Sequence, residues 1–287
     1  MGSSYRSIWV LAVAAPAVLI PFLMFVWFGW PGDADICTLT NPNGCFCEAY
    51  DPAAVLTAAG GVRQLSNTWF NLYALASASI VAVQLSADRR RQTAVFAPGV
   101  IPDVYVFVVL FLGLGSMWFH ASLKEWGGIV DAASMYLFTA FLVAFAAYRL
   151  RPSTGLFWIL FLGVTAVATI AHAVINRPGT SVVLIAIQVG VYMVLELVVW
   201  LTRLRGHVPR GWRGGLWWFG ALASIGIAIV FWLLSQTGGP LCDPASIWQP
   251  HGVAWHPLAG VSAVLLFYYW RESARATEPR IQAEVLR

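Results

Sequence analysis

A serine, an aspartate and three histidines stand out in a chain of 287 residues that is otherwise poor in charge. Ser116 precedes His120 by four residues, so on a helix both project from one face. Asp131 follows His120 by eleven residues, and His251 and His256 come far downstream, five apart. Three histidines that converge and leave a fourth position open are what a catalytic zinc ion needs, and such an ion lowers the pKa of a water to roughly 7. A neighbouring carboxylate such as Asp131 can then orient or deprotonate that water, or hold a ligand histidine in one tautomer. The Ser116 hydroxyl can donate to the developing oxyanion of a substrate carbonyl. Taken singly, each histidine fits an isolated packing or interfacial role better than a ligand's, and it is their shared depth that points to a common site. In an ideal helix a five-residue interval turns the second side chain well off the first, so His251 and His256 meet only across a wide turn or π-bulge. Pro250, suited to a first helical turn, stands just before them.

The elements that must position these groups are membrane spans. Hydrophobic residues make up 59% of the chain and charged residues 10%, with a mean hydropathy of +0.72, whereas soluble domains carry about 25% charged residues. That excludes a water-soluble globular protein. Lys124 is the one lysine, which excludes lysine chemistry inside a membrane such as a retinal Schiff base. A helix crosses a ~30 Å hydrocarbon core in about 20 apolar residues. Eight such stretches run roughly over 8–30, 65–85, 104–123, 129–148, 156–174, 182–201, 216–234 and 252–270. The first is too long for a signal peptide, and no cleavage site follows it, so it reads as a membrane anchor.

Orientation follows from the loops. With the N-terminus cytoplasmic, that side holds fourteen of the 17 basic residues, among them Arg210, Arg280 and Arg287, and the other side holds Arg63, Lys124 and Arg177. Both termini are then cytoplasmic, and the net charge of +4 reports topology rather than a nucleic-acid partner. In this frame His120, Asp131, His251 and His256 all lie in the outer layer of the membrane, where ionisable side chains usually face a cavity or one another. Cys37, Cys45, Cys47 and Cys242 fall on the same external side, which suggests two disulfides in one of three connectivities. The loop over 31–64 is long enough to fold over the outer mouth of the bundle, and a charged, frayed tail spans 271–287. His172 reads as a hydrogen-bonded packing residue, Glu196 as a snorkelling ion pair with Arg203 or Arg205, and His207 as solvated. The many tryptophans at span ends read as an interfacial belt.

The segment from Gly115 to Met135, GSMWFHASLKEWGGIVDAASM, resembles the core motif of the alkaline ceramidases, integral-membrane zinc amidases of a superfamily that includes adiponectin and progestin receptors. The segment from Gln249 to Gly260, QPHGVAWHPLAG, resembles that family's His-rich motif, in which the two histidines are four apart rather than five. Cys47-Glu48 with Asn67-Thr68 is similar to the segment leading into the family's first core helix. The resemblance implies an all-α integral membrane fold, with a seven-helix core over 65–270 and one extra N-terminal transmembrane helix over 1–30. It implies zinc on His120, His251 and His256, with Asp131 and Ser116 as catalytic partners. It also implies a disulfide between Cys47 and Cys242, which leaves Cys37 with Cys45. Animal members bind calcium near the early motif; here Glu48 matches and Asp51 is close by, while Cys45, Tyr50 and Gln64 replace expected ligands.

The expected function is hydrolysis of the N-acyl bond of ceramide or a ceramide-like membrane lipid, with the site facing the periplasmic or external side of a bacterial inner membrane. The alternatives are a receptor-like or lipid-binding member of the superfamily, an ester-cleaving lipid hydrolase, and, more distantly, a transporter with a His/Asp proton relay.

Overall fold

Backbone polar groups in a bilayer must be satisfied within their own segment, which leaves apolar runs of this length no choice but helix. The computed structural model describes residues 4–40, 45–177, 179–206, 208–209 and 212–285, with side chains to 276; His207, Arg210, Arg287 and the Arg280 side chain lie outside the described residues. Among the described residues eight helices are long and apolar enough to cross a membrane, and there is no sheet. The first is α1 (Arg6–Phe28), and the loop after it carries the short α2 (Ile36–Thr40) and α3 (Pro52–Leu56). The second span is built from α4 (Leu65–Trp69), a 3-10 turn (Phe70–Leu72) and α5 (Tyr73–Arg90). Next come α6 (Ile101–Ser122), α7 (Glu125–Leu150), α8 (Thr154–Ile175), α9 (Thr180–Val199), extended by a π turn (Trp200–Leu204), and α10 (Gly214–Leu234). The eighth span opens on a second π turn (His251–Trp255) and continues as α11 (His256–Val285).

The most buried helices are α6 and α7, which pack on each other and form the spine of the bundle. On α7 lie α8 and α9; on α6 lie α5 and α1; α10 packs on α11, with little direct contact between α9 and α10. Few side chains of α1, α8 and α10 are buried, as on helices that face lipid tails. Where α6 and α7 cross, a Cβ on Gly115 would lie 2.6 Å from the Ser134 Cβ, so glycine there lets the two helices approach beside Ser116.

The end of the bundle away from the histidines is held by buried ion pairs. Asp103 accepts from Arg89 at 2.8 Å, Arg6 at 2.5 Å and Ser7 at 2.5 Å, which ties α1 to α5 and α6. Asp88 accepts from Arg271 at 2.6 Å and Arg275 at 3.1 Å. Those two arginines tie α11 to α5 just past Trp270, and the expected frayed tail is helix to Val285. Glu196 is 2% exposed and pairs with Arg149 of α7 at 2.7 Å and with the Tyr269 hydroxyl, whereas Arg203 donates to the Leu150 carbonyl. The expected snorkelling pair with Arg203 or Arg205 is therefore a buried bridge between α7, α9 and α11. Removing one partner of such a pair costs about 3–5 kcal/mol, whereas replacing both with apolar groups of similar volume is often neutral. Glu196→Gln is expected to lower the thermal unfolding midpoint in detergent, and Arg149→Met with Glu196→Leu to recover much of it; an unchanged midpoint in Glu196→Gln would show that the pair does not hold these helices.

The tryptophan belt also needs correction. Trp9 and Trp27 are exposed, but Trp30 and Trp270 are fully buried. Trp30, Trp118 and Trp126 pack with Phe22 and Phe25 in one aromatic cluster that seats the end of α1 against α6, two residues before His120.

Candidate metal centre

His120 occupies the last turn of α6, which stops at Leu123 in the left-handed region at φ 50°. His251 and His256 enter from the eighth span. In an α-helix five residues place side chains about 140° apart, but here the first turn is wound as a π turn, and the His256 N–H donates to the His251 carbonyl. Pro257 has no N–H to give the Val253 carbonyl four residues back, which leaves this turn free to widen. Gly252 is what lets the turn sit against α4, since a Cβ there would lie 2.6 Å from Ser66 Oγ and 3.0 Å from its carbonyl. The wide turn anticipated from the five-residue interval is present.

The three rings are buried, with centroids 5.1 Å apart for His120 and His251, 5.4 Å for His120 and His256, and 4.7 Å for His251 and His256. One nitrogen from each lies within 4.8 Å of the others, and this is the one group of three or more His, Cys, Asp or Glu side chains among the described residues so placed. His251 Nδ1 is buried without a hydrogen-bond partner, a state that costs about 1–3 kcal/mol unless something takes its lone pair or proton. Three buried imidazoles with one nitrogen unsatisfied fit a metal ion such as zinc.

Asp131 lies outside that group. Asp131 is a half-buried residue whose carboxylate lies within hydrogen-bonding reach of the Ser116 side chain, and Tyr73 and Tyr136 lie within electrostatic reach of it. The Tyr73 ring in turn stacks on His256, and Ser116 lies one helical turn before His120 on α6. His172 packs with its ring on the edge of Tyr136 at 6.0 Å, but among the described residues its Nδ1 lacks the hydrogen-bond partner expected.

Around the histidines stand Phe46 and Asn71, which sequence reading passed over, and Gln64, which it read only as a replaced calcium ligand. Disulfides join Cys37 to Cys45 and Cys47 to Cys242, and between them Phe46 (φ 52°) stacks on His251 at 4.6 Å and meets the edge of His120. Gln64 Oε1 lies 2.8 Å from His120 Nδ1, and Asn71 Nδ2 lies 3.3 Å from His256 Nε2. A usable signal existed, because Gln64, Asn67, Thr68 and Asn71 fall on one helical face of an apolar span and all four are fully buried. Both oxygens of Glu48 accept from α4 amides, Ser66 at 2.7 Å and Asn67 at 2.8 Å; burial pushes its carboxyl above the ordinary value while these N–H groups oppose the shift. With both oxygens on those amides, Glu48 caps the start of α4. Lys124 anchors the loop by donating to the Val55 and Thr57 carbonyls at 2.6 and 3.0 Å, its ammonium pushed below its usual pKa by burial and by Arg63. Asp35, beside it in the chain pairing of Ala34 with Lys124, is raised to about 6, chiefly by burial and further by Glu125.

No curated protein matches the chain. A family model described as Ceramidase matches residues 46–284, which takes in Phe46, Gln64, the Ser116–Asp131 pair, all three histidines and Cys242, and leaves α1 and the Cys37–Cys45 end of the loop outside. With the match running over most of the chain and across every part of the centre, this protein is a member of the ceramidase family.

Proposed function

We propose that this protein is a zinc-dependent intramembrane amidase that hydrolyses the N-acyl bond of ceramide or a ceramide-like lipid, releasing a long-chain base and a fatty acid. The observation that carries the reading is the buried meeting of three histidine nitrogens within 4.8 Å in a chain of the ceramidase family. Zinc on His120, His251 and His256 would supply a Lewis acid and a water that ionises near neutral pH. Asp131 takes the proton from the attacking water at a carboxylate oxygen and delivers it to the departing nitrogen, so the acyl carbon gains the water oxygen, the C–N bond breaks and a free amine leaves. Ser116 holds the Asp131 carboxylate through their hydrogen bond and is the neutral donor available to a developing oxyanion. Phe46 and the two disulfides cover the histidines from the loop side, which limits access of bulk water.

The lipid enters from the bilayer, where its chains are already dissolved. The sparse contact between α9 and α10, one packed on α7 and the other on α11 and the π turn of His251, supports a lateral path between them. Disulfides at the histidine end and ion-paired arginines at the other support an orientation with the site on the external face and both termini cytoplasmic, and the extra leading span with basicity that is almost all arginine suits a bacterial inner membrane. In that arrangement α1 is an anchor added to the seven-span core. The test is release of fatty acid from a ceramide and from an ester of equal chain length by the purified full chain, before and after a chelator. Amide turnover that the chelator abolishes and zinc restores is the expected result. Preference for the ester would make it an ester-cleaving lipid hydrolase, and a zinc-loaded chain that turns over neither would be a receptor-like or lipid-binding member.

A further inference from the structure

We infer that Gln64 is a positioning residue of the metal centre: its side-chain amide fixes His120 with the proton on Nδ1 and the Nε2 lone pair free for a metal. This rests on the reading of the three histidines as ligands.

Gln64 is fully buried at the start of α4, between the loop and α6. Its main-chain N–H donates to the His120 carbonyl at 3.1 Å, so the two residues are already locked together along the backbone. Its Nε2 donates to the Cys45 carbonyl at 2.5 Å and to the Glu48 carbonyl at 3.0 Å. Carbonyl oxygens only accept, so the nitrogen of this amide must face them and its oxygen must face the other way. That oxygen is the one 2.8 Å from His120 Nδ1, and Asn67 Nδ2 also approaches it, at 3.4 Å. An amide oxygen has no proton to give, so Nδ1 is the donor, and in a neutral imidazole the remaining nitrogen is then the acceptor. The choice of tautomer thus follows from two carbonyls that touch neither nitrogen of the ring.

Those carbonyls are themselves held. Cys45 is tied to Cys37, and Glu48, one residue beyond the Cys47–Cys242 disulfide, is clamped through its carboxylate to the Ser66 and Asn67 amides. The loop therefore sets the amide, and the amide sets the ring. Because the partner is a neutral amide, it orients His120 without adding a second charge to a buried site. Outer partners of ligand histidines are typically worth 10–100-fold in metal affinity.

The test uses the full chain with 15N-labelled histidine, loaded with zinc, the His120 signals being assigned by their loss in His120→Gln. The expected spectrum has His120 protonated at Nδ1, and Gln64→Met, close in length but with no donor and only a weak thioether acceptor, is expected to bind zinc about 10–100-fold more weakly in a metal-buffer titration. Zinc in the wild type with His120 protonated at Nε2, or wild-type affinity in Gln64→Met, overturns this inference alone. A wild-type chain that takes up no zinc overturns the ligand reading and this inference with it. Should Gln64→Met fail to fold, the position of the proton in the wild type decides the matter.

Discussion

Replacing His120 or His256 with alanine is expected to remove tightly bound zinc, from one ion per chain toward none, and to abolish amide hydrolysis with it. A structural or catalytic zinc held by three nitrogens loses a third of its protein ligands in either variant, and no other His, Cys, Asp or Glu among the described residues joins the three as a close substitute. His251→Ala is the sharper case. Its place in the centre depends on the π turn, on Gly252 lying against Ser66, and on the stacked Phe46 ring. If all three hold, His251→Ala loses zinc as fully as the other two. Full zinc occupancy and activity in His251→Ala would mean that the turn serves only to aim His256 and that another group completes the set. Metal content and thermal midpoint are measured on the same samples, since a variant that has lost zinc and kept its metal-free stability has lost a ligand rather than its fold.

Much of this arrangement could be read from the chain because a bilayer imposes few solutions. Length and apolarity alone placed eight spans, and the helices extend them by a few residues where charged side chains find buried partners, as Arg271 and Arg275 do on Asp88. The five-residue interval between His251 and His256 is awkward for an ideal helix and suits a widened turn, and a π turn is what stands there. Partnerships between distant segments were the part that periodicity could not reach. Glu196 has arginines nearby in sequence, yet its partner is Arg149, because packing of α9 on α7 decides which guanidinium is near. Gln64 looked like a missing acidic ligand, whereas its surroundings, two carbonyls on one side and an imidazole on the other, need an amide with both a donor and an acceptor. Phe46 gave no signal at all, since its contact with His251 exists only because disulfides bend the loop back over the bundle.

Asp131→Asn is expected to keep zinc and lose hydrolysis by about 10²–10⁴-fold, the usual worth of a positioned general base or acid. Asparagine has the same shape and can still accept from Ser116 through its amide oxygen, so the local packing beside Gly115 and Ser134 is preserved. What it cannot do is take up a proton and hand it on to the leaving nitrogen. Because Asp131 stands apart from the three histidines, its loss leaves the metal's protein ligands in place, which separates this variant from the histidine series. Ser116→Ala should fall less, since one neutral oxyanion donor contributes about 3 kcal/mol, roughly a hundredfold in rate. In the double variant the two losses should fall short of adding if Ser116 acts mainly by holding the carboxylate, and add in full if it acts separately on the oxyanion. The measurement is fatty acid released from ceramide in detergent, with zinc determined on each sample. Wild-type rates in Asp131→Asn would remove the carboxylate from the chemistry and leave it as a partner of Ser116 at the crossing of α6 and α7.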